Sequence, residues 1–133
     1  MSVRLPPTLQ APALARRAVE EVLAGRVDDG LVYETQLLVT ELVTNCVRHG
    51  DLRRGDHVEL GISLDRDQVR VEVFDPGRGF DPREIVAPTL EVPTSGWGLR
   101  IVNQLSTRWG SSRGRPNVTW FEVALDRGQR LSA

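Results

Sequence analysis

Lysine is absent from this chain: all 17 basic residues among its 133 are arginines. That excludes the lysine-dependent phosphate sites of P-loop proteins and protein kinases, and any Schiff-base chemistry. Cysteine is nearly absent. The single Cys46 excludes an internal disulfide and any multi-cysteine zinc site, and it fits a reducing compartment. Its preferred reading is a small core residue on a helix. No stretch approaches the roughly 20 apolar residues of a membrane span, and the first residues carry no signal-peptide apolar block. A cytoplasmic location is therefore expected, with no membrane partner. The net charge of −1 gives no bias toward nucleic acid, so no direct nucleic-acid partner is expected. What is present, 40% apolar and 26% charged residues, is the composition of a soluble globular protein. The length reads as one domain, 1–133.

Helical periodicity appears first. Pro6, Pro7 and Pro12 mark residues 1–12 as an extended lead-in with a short edge strand. Leu14, Ala15, Ala18, Val19, Val22 and Leu23 then recur at helical spacing, and Gly25 ends the run. Arg16 and Glu20 stand as an i,i+4 pair on the wet face. Asp28 or Asp29 can cap a second helix, which runs through Leu38, Val39, Leu42, Val43, Cys46 and Val47 and is stopped by Gly50. On it Glu41 and Asn45 lie one turn apart on the same side. A carboxylate beside an amide oxygen could orient a water and hold a hard cation such as Mg²⁺. The same pair is equally a solvated helix edge.

The period then changes to two. Val58, Leu60, Ile62 and Leu64, then Val69, Val71 and Val73, alternate on either side of a turn at 65–68, as in a hairpin with one buried face. Residues 81–95 have little pattern, as functional lids do. Gly96-Trp97-Gly98 opens a third apolar-periodic run with Leu99, Ile101, Val102 and Leu105. Arg108-Trp109 and Val118 to Leu125 read as two more strands. The expected class is α+β, a two-layer sandwich with helices covering one face of a mixed, mainly antiparallel sheet.

Two glycine-containing motifs join the helix pair. Asp75-Pro76-Gly77-Arg78-Gly79 puts an acceptor-only side chain at a strand end, where it could accept a hydrogen bond from an exocyclic amine such as N6 of adenine. It is also the signature of a turn in which Asp caps its own backbone. Gly96-Trp97-Gly98 before a helix can present N–H groups and a positive dipole end to phosphate, or be only a flexible helix entry. Arg78 reads as a solvated loop arginine.

In this order and spacing the chain resembles the GHKL ATP-binding fold, and within it the small bacterial anti-sigma-factor serine/threonine kinases. Glu41-Leu42-Val43-Thr44-Asn45-Cys46-Val47-Arg48-His49-Gly50 is similar to that family's N box. Asp75 to Phe80 is similar to its first glycine box, and Ser95-Gly96-Trp97-Gly98-Leu99 to its second. Asn117 to Glu122 resembles the closing strand, with Asn117-Val118 where the family often has a glycine before the threonine. The resemblance implies ATP and Mg²⁺ as cofactors, with Asn45 on the metal and Glu41 as general base or hydroxyl-positioning group. It implies Asp75 at the adenine amine, Gly77 and Gly79 close to the base, and Thr119 beside them through a shared water. Gly96 and Gly98 would hinge an ATP lid over 81–95 and wrap the phosphates, Trp97 and Leu99 would join them at the nucleotide, and His49 would lie near the phosphates. The implied partners are a sigma factor and an anti-sigma-factor antagonist protein, with a homodimer as the family habit. The implied activity is phosphorylation of the antagonist and sequestration of the sigma factor. The alternative is a partner-sequestering module without turnover.

Overall fold

The computed structural model describes residues 1–77 and 106–125, apart from the His49 side chain. Along the chain these form β1 (Ser2–Leu5), α1 (Ala11–Leu23), α2 (Asp29–His49), β2 (Val58–Leu64), β3 (Gln68–Asp75), β4 (Arg108–Ser112) and β5 (Asn117–Ala124). The lead-in is shorter than expected, because α1 begins at Ala11 and takes Pro12 into its first turn. There proline removes only an N–H that has no intrahelical partner.

The Asp28 side chain caps α2, its Oδ1 accepting from the Leu31 N–H at 2.7 Å. The helix is 21 residues long, so at 1.5 Å per residue it crosses the domain. Arg16 does not pair with Glu20 as expected. Its Nη1 donates across to Thr40 Oγ1 on α2 at 3.2 Å, and Gln36 Nε2 donates back to the Arg16 carbonyl. The two helices are thus joined at their wet edge as well as through their apolar faces.

The sheet has strand order β1-β2-β3-β5-β4. All its ladders among the described residues are antiparallel, in keeping with the mixed, mainly antiparallel sheet expected. The β2–β3 turn is fixed by Asp65, whose Oδ1 accepts from the N–H groups of Asp67 and Gln68. Alternation then decides the faces. Leu60, Ile62, Val69, Val71, Val73, Phe121 and Val123 turn inward against Val19, Leu23, Leu38, Val39, Leu42, Val43 and Cys46 of the helices. Each such side chain contributes on the order of 1.5–3 kcal/mol by leaving water. The two-layer α+β sandwich is therefore present. Its sheet register places Asp75 opposite Asn117 and Val73 opposite Thr119, at the end of the sheet where α2 terminates.

Candidate functional site

The inward phase of β3 runs Val69, Val71, Val73, Asp75, so the alternation that builds the core carries a carboxylate onto its last inward position. Asp75 is only 2% exposed. Its Oδ1 accepts from the Gly77 N–H at 2.7 Å, and its Oδ2 is buried with no hydrogen-bond partner among the described residues. The turn reading of Asp75 is met by one oxygen, and the other is left open as an acceptor. Burial raises the pKa of this carboxyl above its ordinary value; the Gly77 N–H works against the shift and the Asp56 carboxylate adds to it.

Asp75 packs against the end of α2. A Cβ on Gly50 would stand 2.7 Å from Asp75 Oδ2, and a Cβ on Gly77 would run into the Gly50 carbonyl. Gly50 stops the helix as expected, standing as the C-cap after His49. Its backbone is right-handed helical at φ −76°, and the left-handed residue is Asp51 at φ 54°. Glycine is required at 50 for close approach between the helix end and the Asp75 turn, not for a special φ.

Asn45 lies near the C-terminal end of α2. It is 2% exposed and its Nδ2 has no partner among the described residues, a second orphaned polar atom. The orphan is a donor and suits an anionic oxygen, while the amide Oδ1 is the group able to face a cation. Glu41, one turn back, is half-buried. Burial raises its pKa and the Arg48 guanidinium partly offsets the rise. Among the described residues no group of three or more His, Cys, Asp or Glu side chains could hold a metal unaided. An Asn with a neighbouring Glu does fit an ion such as Mg²⁺ that keeps most of its coordination from phosphate and water.

Thr119 is 7% exposed on the inward face of β5, a diagonal neighbour of Asp75 across the ladder. Diagonal pairs stand on the order of 7–8 Å apart, close enough for side chains that reach toward each other to share a bridging water. Cys46 is in the core as expected; burial pushes its thiol pKa up and the nearby Asp75 carboxylate adds to the rise. Gly79, Gly96, Trp97, Gly98, Leu99, Arg78 and the 81–95 lid lie outside the described residues, as does the His49 side chain. The structure thus brings Glu41, Asn45, Asp75, Gly77 and Thr119 to one end of the sandwich.

One residue at this end went unassigned in the sequence. Asn117 is 9% exposed, and its Nδ2 donates to the carbonyls of Asp75 at 3.2 Å and Gly77 at 2.9 Å. The available signal was its place in the inward phase with Thr119, Phe121 and Val123. On the outer side of the turn lies a groove of about 990 Å³, walled by Gly77, Asn117, Asp56 and the arginines Arg53, Arg113 and Arg115.

Two antiparallel-sheet-bound helices, a helix-end Glu and Asn, and an Asp at the adjoining strand end define an ATPase domain of the histidine kinase type. The chain belongs to the histidine kinase-like ATPase domain family, whose model matches residues 5–123. It is similar in fold to a blue-light activated histidine kinase of Erythrobacter litoralis EL346, at 22% identity and TM-score 0.58 over 84% of this chain and 39% of that one. It is similar also to the histidine kinase domain of that protein, at 21% identity and TM-score 0.57 over 89% of this chain and 60% of that one. A histidine kinase from Burkholderia phymatum STM815 matches at 16% identity and TM-score 0.53, over 92% of this chain and 71% of that one. This chain therefore spans less than two thirds of the first two. No curated protein sequence matches it. No helix of the described residues is long and apolar enough to cross a membrane.

Proposed function

We propose that this ATP-binding, kinase-type ATPase domain is an anti-sigma regulatory factor. In this reading it transfers phosphate from ATP to a serine or threonine of an antagonist protein and sequesters a sigma factor. The supporting observation is the pair of buried, unpartnered polar atoms, Asp75 Oδ2 and Asn45 Nδ2, at one end of the sandwich. Leaving such atoms unsatisfied costs about 1–3 kcal/mol each, so a bound ligand that completes them recovers that free energy. Asp75 offers the acceptor for the adenine amine, Thr119 supports it through water, and Asn45 turns its amide to the phosphates.

Phosphoryl transfer needs positioning and charge stabilisation more than covalent chemistry. Asn45 would hold Mg²⁺ at the phosphates, where the ion supplies charge neutralisation that lysine provides in other kinases. Glu41 takes the proton of, or orients, the attacking hydroxyl. Its burial-raised pKa makes it a better proton acceptor than a solvated carboxylate. The antagonist and sigma-factor assignments are carried by the motif resemblance.

The experiment is transfer of γ-labelled phosphate to antagonists encoded by neighbouring genes, with the product's acid stability separating phosphoserine from phosphohistidine. Glu41→Ala should keep ATP affinity within about twofold and lower transfer by on the order of 100-fold or more. Wild-type protein that binds ATP but labels no antagonist would establish the sequestering module without turnover. Acid-labile product would establish a histidine acceptor.

A further inference from the structure

Asn117 uses its whole amide at the border of the site. Its Nδ2 donates to the Asp75 carbonyl at 3.2 Å and to the Gly77 carbonyl at 2.9 Å, and its Oδ1 accepts from the Gly114 N–H at 3.1 Å. The two carbonyls flank Pro76, so one side chain draws both ends of the turn toward β5. That curl is what brings the Gly77 N–H to Asp75 Oδ1 at 2.7 Å. Asp75 Oδ2 has no partner of its own among the described residues, so its direction is set through Oδ1. Oδ1 is set by Gly77, and Gly77 by Asn117. Only an amide can do this. A glycine or alanine at 117 has no side-chain donor, and an aspartate would put an acceptor against two carbonyl oxygens.

We infer that Asn117 is a positioning residue for base selection. Resting on the ATP reading above, its amide locks the Asp75–Gly77 turn so that Asp75 Oδ2 accepts an exocyclic amine and rejects a carbonyl oxygen at the same place. A carboxylate whose turn is free can rotate or move away, and the penalty against a carbonyl-bearing base then falls. Asn117 touches no part of the nucleotide in this role; it acts through Asp75.

The test compares ATP with inosine triphosphate, which carries a carbonyl where ATP has the amine. Affinities are measured for the full chain and for Asn117→Ala, with Asn117→Asp as a second variant that keeps the volume and the Gly114 bond. ATP affinity should fall about tenfold while inosine triphosphate changes less than about twofold, so the preference shrinks about tenfold. A merely structural residue would weaken both nucleotides together, and a preference unchanged in both variants overturns the inference. Hydrogen exchange of the Gly77 amide, measured without nucleotide, gives an independent arm. It should accelerate about tenfold or more in Asn117→Ala relative to central β3 amides; unchanged protection overturns the latch. Wild-type protein that binds neither nucleotide defeats the ATP reading and the selectivity role with it, while the exchange arm still decides whether Asn117 holds the turn.

Discussion

Two buried carboxylates on opposite faces of the same strand pair behave in opposite ways. Glu122 is 7% exposed on the face of the sheet away from the helices. Its Oε2 accepts from Arg70 Nη1 at 2.7 Å and from Gln68 Nε2 at 3.1 Å, and Arg108 Nε stands 3.5 Å from Oε1. Arg70 in turn lies over the Trp120 ring, 4.4 Å from its centroid. The Arg70 hydrogen bond, helped by Gln68 and the nearby Arg108 and Arg70 charges, holds the Glu122 carboxyl below its ordinary pKa against the effect of burial. Asp75, on the helix-covered face, is also buried but among the described residues has only the Gly77 N–H, and its pKa is raised. The fold completes one carboxylate and leaves the other incomplete. A completed group stabilises the fold, and an incomplete one, held in place at a cost, is where a ligand gains most by binding.

Breaking the incomplete member should have the largest effect on binding. Asp75→Asn keeps an acceptor for Gly77 but turns an N–H toward the amine, so ATP affinity should fall by about 100-fold or more in a fluorescence titration. Fold stability should stay within about 1 kcal/mol, since the substitution also removes a desolvated charge. Unchanged affinity would remove the adenine assignment.

Breaking the completed member should reverse the pattern. Glu122→Ala strips Arg70 and Gln68 of their acceptor and should lower stability by about 1–3 kcal/mol in urea unfolding. ATP affinity should not change. A stability loss in Asp75→Asn that matched the one in Glu122→Ala would erase the distinction between the two sites.

The smallest effects are in pH dependence, and they have opposite signs. Glu122 has a lowered folded pKa, so its contribution is full above the unfolded value of 4.5 and is lost as pH falls through the folded value. Asp75 has a raised folded pKa. Its contribution is full below the unfolded value of 3.8 and is lost as pH rises through the folded value. Urea unfolding across this acid range should therefore show a shallower acid loss in Glu122→Ala and a steeper one in Asp75→Asn than in the wild type. ATP affinity should fall on acidification through the raised Asp75 value, because a protonated Oδ2 no longer accepts freely.

How much of this was legible in the sequence follows from the range of each interaction. Helices and strands were readable because core burial imposes periods of 3.6 and two on the chain itself. Asp75 was readable because a strand ending in Asp-Pro-Gly is a local pattern, and Glu41 and Asn45 because i and i+4 share a helix side. Glu122 was not. In the alternation it is an outward, solvent-side residue, and the groups that bury and satisfy it come from 52 and 54 positions away. Asn117 was seen only as a departure from the expected glycine, since its partners are 40 and 42 positions distant. Gly50 was legible as the helix stop, but its approach to the Asp75 turn was not, because a close contact between two segments leaves no trace in either one alone.

The sequence by itself determined the secondary structure of the described residues, the two-layer class and which side chains have the chemistry proposed to meet adenine, phosphate and a cation. Those depend on local periodicity and on side-chain chemistry. Tertiary structure alone decided the strand order of the sheet, which carboxylate is satisfied and which is left open among the described residues, and which amide holds the open one in place. Each of these is a pairing between distant segments, and hydrogen-bond satisfaction exists only once both partners have been brought together.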